Sequence, residues 1–345
     1  MAGVNDYELL TRYVYAELTT RFAEADPAVS VSIQGKGVHW SCTIQIAKRV
    51  CTISVYPRDV MPYWIGFQNA NMLVAEGWTA HDNTMYRPIA AWLHGADRAE
   101  LYTHGEFIDR EIRALGDLEA KLIEHDHALS AILTHDLQPF SKRAYDLVAQ
   151  NPTRSCRIKF YGHNQQPDAH FLWDDCPLFQ FPVTQSADLA VMLRRWLIDL
   201  AAPSALEQEF PWLSVGKLAR YYEVGQGIEG EFIVSWDRMA VFYTNFDWPM
   251  APIGHCFVGI LRDAGYDRLF RAGQSLVTLI LSRSRRHNLR MEQASISFFF
   301  HADATMNVTL NTIGGRKEHV FYRLPVALTP TLRQMLDHFA RQAID

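Results

Sequence analysis

In the stretch GKGVHWSCTIQIAKRVCTISVYP (35–57), Cys42, Ile44 and Ile46 fall on one face and Ser41, Thr43 and Gln45 on the other. Alternation with a period of two marks an antiparallel hairpin with one buried and one wet face. A different period governs LPVALTPTLRQMLDHF (324–339) and FPVTQSADLAVMLRRW (181–196), where a strand end runs into an amphipathic helix. Leu332, Met335, Leu336 and Phe339 align with Leu189, Met192, Leu193 and Trp196, a stripe at steps of three and four that one helix face buries. Thr329 and Ser186 stand where a hydroxyl N-cap accepts a bond from a first-turn amide, and Pro330 takes the next position, where its missing N–H costs nothing.

Three alternating segments precede each of these helices: CRIKFYG, AHFLWDD and PLFQFPV before the first, and SISFFFH, MNVTLNT and HVFYRLPV before the second. The hairpin at 35–57 aligns in turn with GQGIEGEFIVSWDRMAVFYTNF (225–246), which reads as a second hairpin. An amphipathic helix leads each hairpin, DYELLTRYVYAELTTRF and ALEQEFPWLSVGKLARYY, and a Met-Pro segment and a further helix follow. The pattern predicts an α+β protein, a tandem duplication of α-β-β(-β)-α-β-β-β-α in which helices flank an antiparallel sheet. The copies run over 1–202 and 203–345, with a helical insertion in copy one at about 95–142. In that insertion Ile108, Ile112, Leu115, Leu118 and Leu122 form a stripe that its own domain or a partner would cover. A duplicated unit sets two equivalent surfaces about a pseudo-two-fold axis, so a monomeric pseudo-dimer or a homo-oligomer is expected.

Composition narrows the class. The 345 residues are 48% hydrophobic and 21% charged, the profile of a globular chain. The formal charge of −5 supplies no global attraction to nucleic acid or an anionic membrane. The apolar run ADLAVMLRRWLIDLAA is broken by Arg194 and Arg195, far short of the ~20 residues that span a bilayer. The N-terminus lacks a basic region followed by an apolar run, and five cysteines form no CxxC pair. A reduced, cytoplasmic protein without a membrane partner and without a cofactor is the expectation.

The order of elements, together with YRLPVALTPTLRQMLDHF, FQFPVTQSADLAVMLRRW and the Asn-containing FQNANMLVAEGW, resembles the YbjN and type III secretion chaperone-like superfamily, including its TY-Chap members. The resemblance implies small α+β domains that are not enzymes. Such domains bind protein segments as chaperones or adaptors, usually as dimers, and TY-Chap members are associated with bacterial conflict and defence loci. The segment FQNANMLVAEGW would then form a helix.

Candidate chemistry is sparse. Phe298, Phe299 and Phe300 are consecutive on a strand, so all three cannot face one core, and Trp40, Trp173 and Trp236 are read as strand residues. With Arg283, Arg285, Arg286 and Arg290, placed near a helix C-terminus, they are the candidate surface for a protein or peptide segment. The same basic stretch, 283–290, is an alternative nucleic-acid contact. His125, Asp126, His135 and Asp136 carry a second alternative, a metal-dependent phosphohydrolase, because imidazole and carboxylate together hold divalent ions and activate water. Asp174, Asp175 and Lys159 lack the carboxylate-x-Lys half of a nuclease site, and GKG and GQG lack phosphate-loop spacing.

Overall fold

A computed structural model describes residues 4–57, 59–137, 145–160, 166–285, 294–311 and 320–344. Helix α1 (Val4–Leu18), extended by a π-helical turn, leads β1 (Ser30–Lys36), β2 (His39–Ile46), β3 (Arg49–Val55), β4 (Tyr63–Asn69) and β5 (Met72–Thr79), then α2 (Asn83–Leu93) and α3 (Arg98–His104). Helix α4 (Arg110–His125) and a 3-10 turn, His127–Ala131, lead β6 (Leu133–Leu137), β7 (Tyr145–Gln150), β8 (Arg154–Lys159), β9 (Asp168–Trp173) and β10 (Cys176–Pro182), closed by α5 (Ser186–Leu193). After α6 (Pro203–Glu209) and α7 (Gly216–Glu223), helices α8 (Gly227–Asn245) and α9 (Ala251–Asp263) lead β11 (Arg271–Ser275), β12 (Thr278–Ser282), β13 (Ser295–Phe300), β14 (Thr305–Asn311) and β15 (Val320–Pro325), closed by α10 (Pro330–Phe339).

The protein is α+β, and a sheet-bearing unit flanked by helices recurs along it. The described residues build three five-stranded antiparallel sheets, each a meander whose neighbours follow chain order. The chain divides into two compact units, Met1–His170 with Gln180–Ile198, and Phe171–Phe179 with Asp199–Asp345.

Within each sheet, alternation decides what is buried. Ile296, Phe298 and Phe300 pair with Leu310, Val308 and Met306 across β13 and β14, and Phe257 of α9 and Leu336 of α10 close over that face. In the first sheet Cys42, Ile44, Cys51, Ile53, Ile65 and Phe67 face α1 and α2. Burial pushes the Cys42 thiol up to about 12, so this cysteine behaves as a small hydrophobe. Thr329 caps α10 by accepting from the Leu332 amide at 3.2 Å, with Pro330 following it. In the other copy the N-cap is Gln185, and Ser186 lies inside the helix with its hydroxyl 3.2 Å from His125 Nε2.

Four sequence expectations change. Residues 227–245 form one long helix, not a hairpin, and Phe232, Trp236, Met239 and Tyr243, all buried, recur at helical steps. Aromatic and β-branched residues enrich that stretch and imitate a strand, but packing of the stripe overrides propensity. FQNANMLVAEGW is the β4–β5 hairpin, turned by Ala70 and Asn71 with φ of 48° and 68°, the two-residue loop that matches strand twist. No helix interrupts a meander: copy one carries two five-stranded sheets with helices before, between and after them, and copy two carries one sheet with helices before and after it. The helical stretch near 95–142 comprises α3, α4, the 3-10 turn and β6, with 138–142 outside the described residues. The stripe of α4 is covered within its own unit, where α4 packs on α5 and β7.

One motif recurs that the sequence comparison passed over. Strands β3 and β8 both open on Arg-x-Cys, at Arg49 to Cys51 and Arg154 to Cys156. Each guanidinium lies over a tryptophan 43 or 42 residues on, Arg49 at 4.3 Å from the Trp92 ring and Arg154 at 4.2 Å from Trp196. Each also donates to that tryptophan's carbonyl, at 2.9 and 3.2 Å. The indole N–H in turn donates to the carbonyl after the arginine, Val50 or Ser155. Strand and closing helix are thereby latched twice by the same chemistry.

Candidate functional site

The basic stretch follows strand β12 rather than a helix. Arg283 donates Nε to the Gln342 carbonyl at 2.9 Å and Nη1 to the Leu269 carbonyl at 2.7 Å, tying the segment after α10 to the turn before β11. Arg285 turns inward instead. Its Nη2 and Nε lie 2.7 and 3.2 Å from Glu231 Oε1, and Nη2 is 3.1 Å from the Tyr222 hydroxyl, which itself donates to Glu231. Burial works against the Arg285 charge, but the Glu231 carboxylate outweighs it and raises the pKa. Burial first, and the bond to Glu231 second, push the Tyr222 hydroxyl well above its ordinary range. Arg286 and Arg290 lie outside the described residues.

Glu231 is only 7% exposed and sits on α8 one flank with Ser235 and Arg238, at helical steps of four and three. Ser235 donates to the Phe232 carbonyl and accepts from the Ala272 amide at 2.8 Å, which fixes β11 beside α8. Arg271, the first residue of β11, then points its Nη1 into the interior, where that atom is buried without a hydrogen-bond partner among the described residues. Burial, and next the charge of Arg238, lower the Arg271 pKa. Between these groups lies a cavity of about 230 Å³ lined by Cys176, Leu218, Glu231, Arg238, Arg271 and Arg285. Among the described residues cationic side chains outnumber carboxylates around it, and apart from Ser235 its remaining wall is apolar.

Trp173 is half-buried, 5.7 Å from the Tyr222 ring, and packs with Cys176 and Leu218 in the small apolar cluster behind this cavity. Trp173 and Arg285, distant in sequence, are thus brought together through Tyr222. Trp236 is not a strand residue: it is fully buried on α8, and its indole donates to the Phe270 carbonyl at 2.7 Å. Trp40 is half-buried at the β1–β2 hairpin, covering Gly35 and donating to the Gly37 carbonyl at 2.9 Å. Phe298 and Phe300 belong to the core at 0% and 1% exposure, whereas Phe299, at 38%, faces outward beside Trp248 and His301.

The four proposed metal ligands are engaged elsewhere. His125 meets Ser186, and Asp126 accepts from the Ala128 amide and from Arg194 at 3.0 Å. His135 stacks on Tyr145 and lies 2.8 Å from Glu119, while Asp136 pairs with Arg157 at 2.6 Å. Among the described residues no three His, Cys, Asp or Glu side chains come together in a metal-binding group. Asp174 and Asp175, with φ of 47° and 60°, are the two turn residues between β9 and β10.

The sequence reading missed Tyr222, Glu231, Arg238 and Arg271. Their signal is a polar row, Glu231, Ser235 and Arg238, on the flank of an otherwise apolar helix. It becomes visible only when 227–245 is read with a helical period. Among the described residues no helix is long and apolar enough to cross a membrane. Comparison with protein-family models, curated proteins and solved structures finds no match for this chain.

Proposed function

We propose that this chain is a non-enzymatic binding protein that docks a protein segment, as a chaperone or adaptor does, in a reducing compartment such as the cytoplasm. The observation that carries the reading is Phe299. It stands outward between two core phenylalanines, with its ring beside those of Trp248 and His301. Aromatic side chains bury large area with few rotamers to lose, which is why they anchor protein contacts. Several polar candidates are already engaged internally: Arg283 on backbone carbonyls, Arg285 on Glu231, Asp136 on Arg157. The resemblance to chaperone-like domains, with its link to conflict, defence or secretion systems, points the same way. All five cysteines are free thiols, including the exposed Cys256, which suits a reducing environment.

The test places a photo-crosslinking residue at position 299 and, as a control, at the exposed Val241 on α8. In native cells, position 299 is expected to give a reproducible crosslink to one protein segment, mapped by mass spectrometry, that Val241 does not give. Phe299→Glu should abolish capture of that segment and shift stability by no more than about 0.5 kcal/mol, as for surface changes in general. Equal crosslinking at both positions, or capture unaffected by Phe299→Glu, would remove the reading.

A further inference from the structure

We propose that the arginine-lined cavity between α8 and β11 is a binding site for a single carboxylate group, held chiefly by Arg271 and Arg238. Three guanidinium groups, those of Arg238, Arg271 and Arg285, line the cavity. Two carboxylates offset them. Glu231 takes Arg285 at 2.7 Å, and Asp174 lies 3.8 Å from the same guanidinium. Among the described residues the balance is one positive charge, which a monoanion neutralises.

The unmet demand is local. Arg285 already donates to Glu231 and Tyr222, but Arg271 Nη1 is buried without an acceptor among the described residues. An ionised donor left in that condition is costly, and beside a second guanidinium more so. A carboxylate entering past Arg238, which is exposed at the rim, would accept from Arg271 and relieve the repulsion between the two cations. Guanidinium donors match the two oxygens of a carboxylate in a fork geometry, so a planar anion is favoured over chloride. The apolar wall, with Leu218 and Cys176, lowers the local dielectric and strengthens that contact. The cavity of about 230 Å³ has room for an acetate-sized group or one acidic side chain.

The carboxylate has two possible sources, a free small organic acid or an acidic residue on a protein segment. The 345-residue chain is titrated calorimetrically with sodium acetate and with a blocked Gly-Glu-Gly peptide, at ionic strength held constant with chloride, alongside thermal unfolding. Both probes are expected to bind and to raise the Tm where chloride does not. Peptide binding tighter than acetate identifies a protein side chain as the source; equal binding identifies the free acid. Arg271→Gln should weaken binding by about tenfold or more, the scale of one hydrogen bond to a charged group. Arg238→Gln, at the rim, should weaken it several-fold with the ligand-free Tm unchanged, and so decides the matter even if Arg271→Gln misfolds. Phosphate binding more tightly than acetate, no ion-specific stabilisation, or undiminished binding in Arg238→Gln would overturn the assignment. The site does not depend on the segment-docking reading, and Phe299→Glu should leave acetate binding intact.

Discussion

The second and third meanders share an order of elements but close it with different chemistry. In the second, Arg154 lies over Trp196 and donates to its carbonyl. In the third, Ala294 precedes the corresponding strand, and Phe339 takes the tryptophan's place on the closing helix, stacked on Phe270 at 5.4 Å. At the 3-10 turn before each meander, Asp126 pairs with Arg194 in one copy, and in the other, where the turn is Tyr266–Arg268, the Tyr266 hydroxyl donates to Asp337 at 2.8 Å. A cation and a carboxylate hold one; an aromatic stack and a phenol hold the other. Topology therefore constrains where a fastening must be, and burial constrains only that its polar atoms be satisfied.

The comparison can be broken most strongly at the ring. Trp196→Ala should cost about 3–5 kcal/mol, the range for truncating a buried aromatic, and Trp92→Ala a similar amount in the first sheet. Chemical denaturation of each variant measures this. Trp196→Phe, which writes the third meander's residue into the second, removes the indole N–H bond and weakens the cation contact, at a cost of about 1–2 kcal/mol. A loss as large as that of Trp196→Ala would mean that ring volume, not the latch, is what matters.

The reverse exchange is smaller in one sense and more informative in another. Ala294 is 3% exposed in a core already filled by the Phe270–Phe339 stack. Ala294→Arg should destabilise the second unit by about 1–3 kcal/mol through overpacking, because Phe339 offers the cation no indole face and no room. Pairing it with Phe339→Trp should recover part of the loss if the latch is portable between copies, which a double-mutant cycle would read.

The smallest effects lie in pH. The Ala128 amide, and then Arg194, hold the Asp126 carboxyl below its usual range. A depressed carboxyl contributes stability that is present above its unfolded pKa and lost as pH falls through the folded value. Tyr266 behaves oppositely: burial, then the bond to Asp337, push it up to about 12 from 10.0. A raised phenol contributes stability that is complete below pH 10.0 and lost as pH rises toward about 12. The second meander's fastening should thus fail in acid and the third meander's in alkali. Asp126→Asn should remove the acid-side difference in unfolding midpoint, and Tyr266→Phe the alkaline one. Identical pH profiles for wild type and variants would show that neither contact is coupled to folding.

Much of the fold is legible in the chain. The endings β10–α5 and β15–α10 read correctly, since Pro-Val, a polar turn and a 3,4-spaced stripe are local signals. The hairpin at 35–57 reads correctly for the same reason. The helix at 227–245 does not, because Ile, Val, Phe, Tyr and Trp favour a pleated surface, and only the packing of Trp236, Met239 and Tyr243 against α9 and β11 decides between the two periods. Of the candidate surface, Phe299 and Arg285 were visible as an aromatic run and a basic run. Glu231, Arg238 and Arg271 were hidden with the misread helix.

The amino-acid sequence alone determined where apolar stripes lie, how strands alternate, and how the closing helix α10 begins, because each depends on residues within a turn or two of one another. Tertiary structure decided the rest. Arg271 meets Arg238 and Glu231 only because β11 runs beside α8, and Trp173 reaches Tyr222 only through a hairpin far upstream. Periodicity carries the face a residue presents, whereas charge convergence depends on which faces meet, and that follows from packing the whole chain.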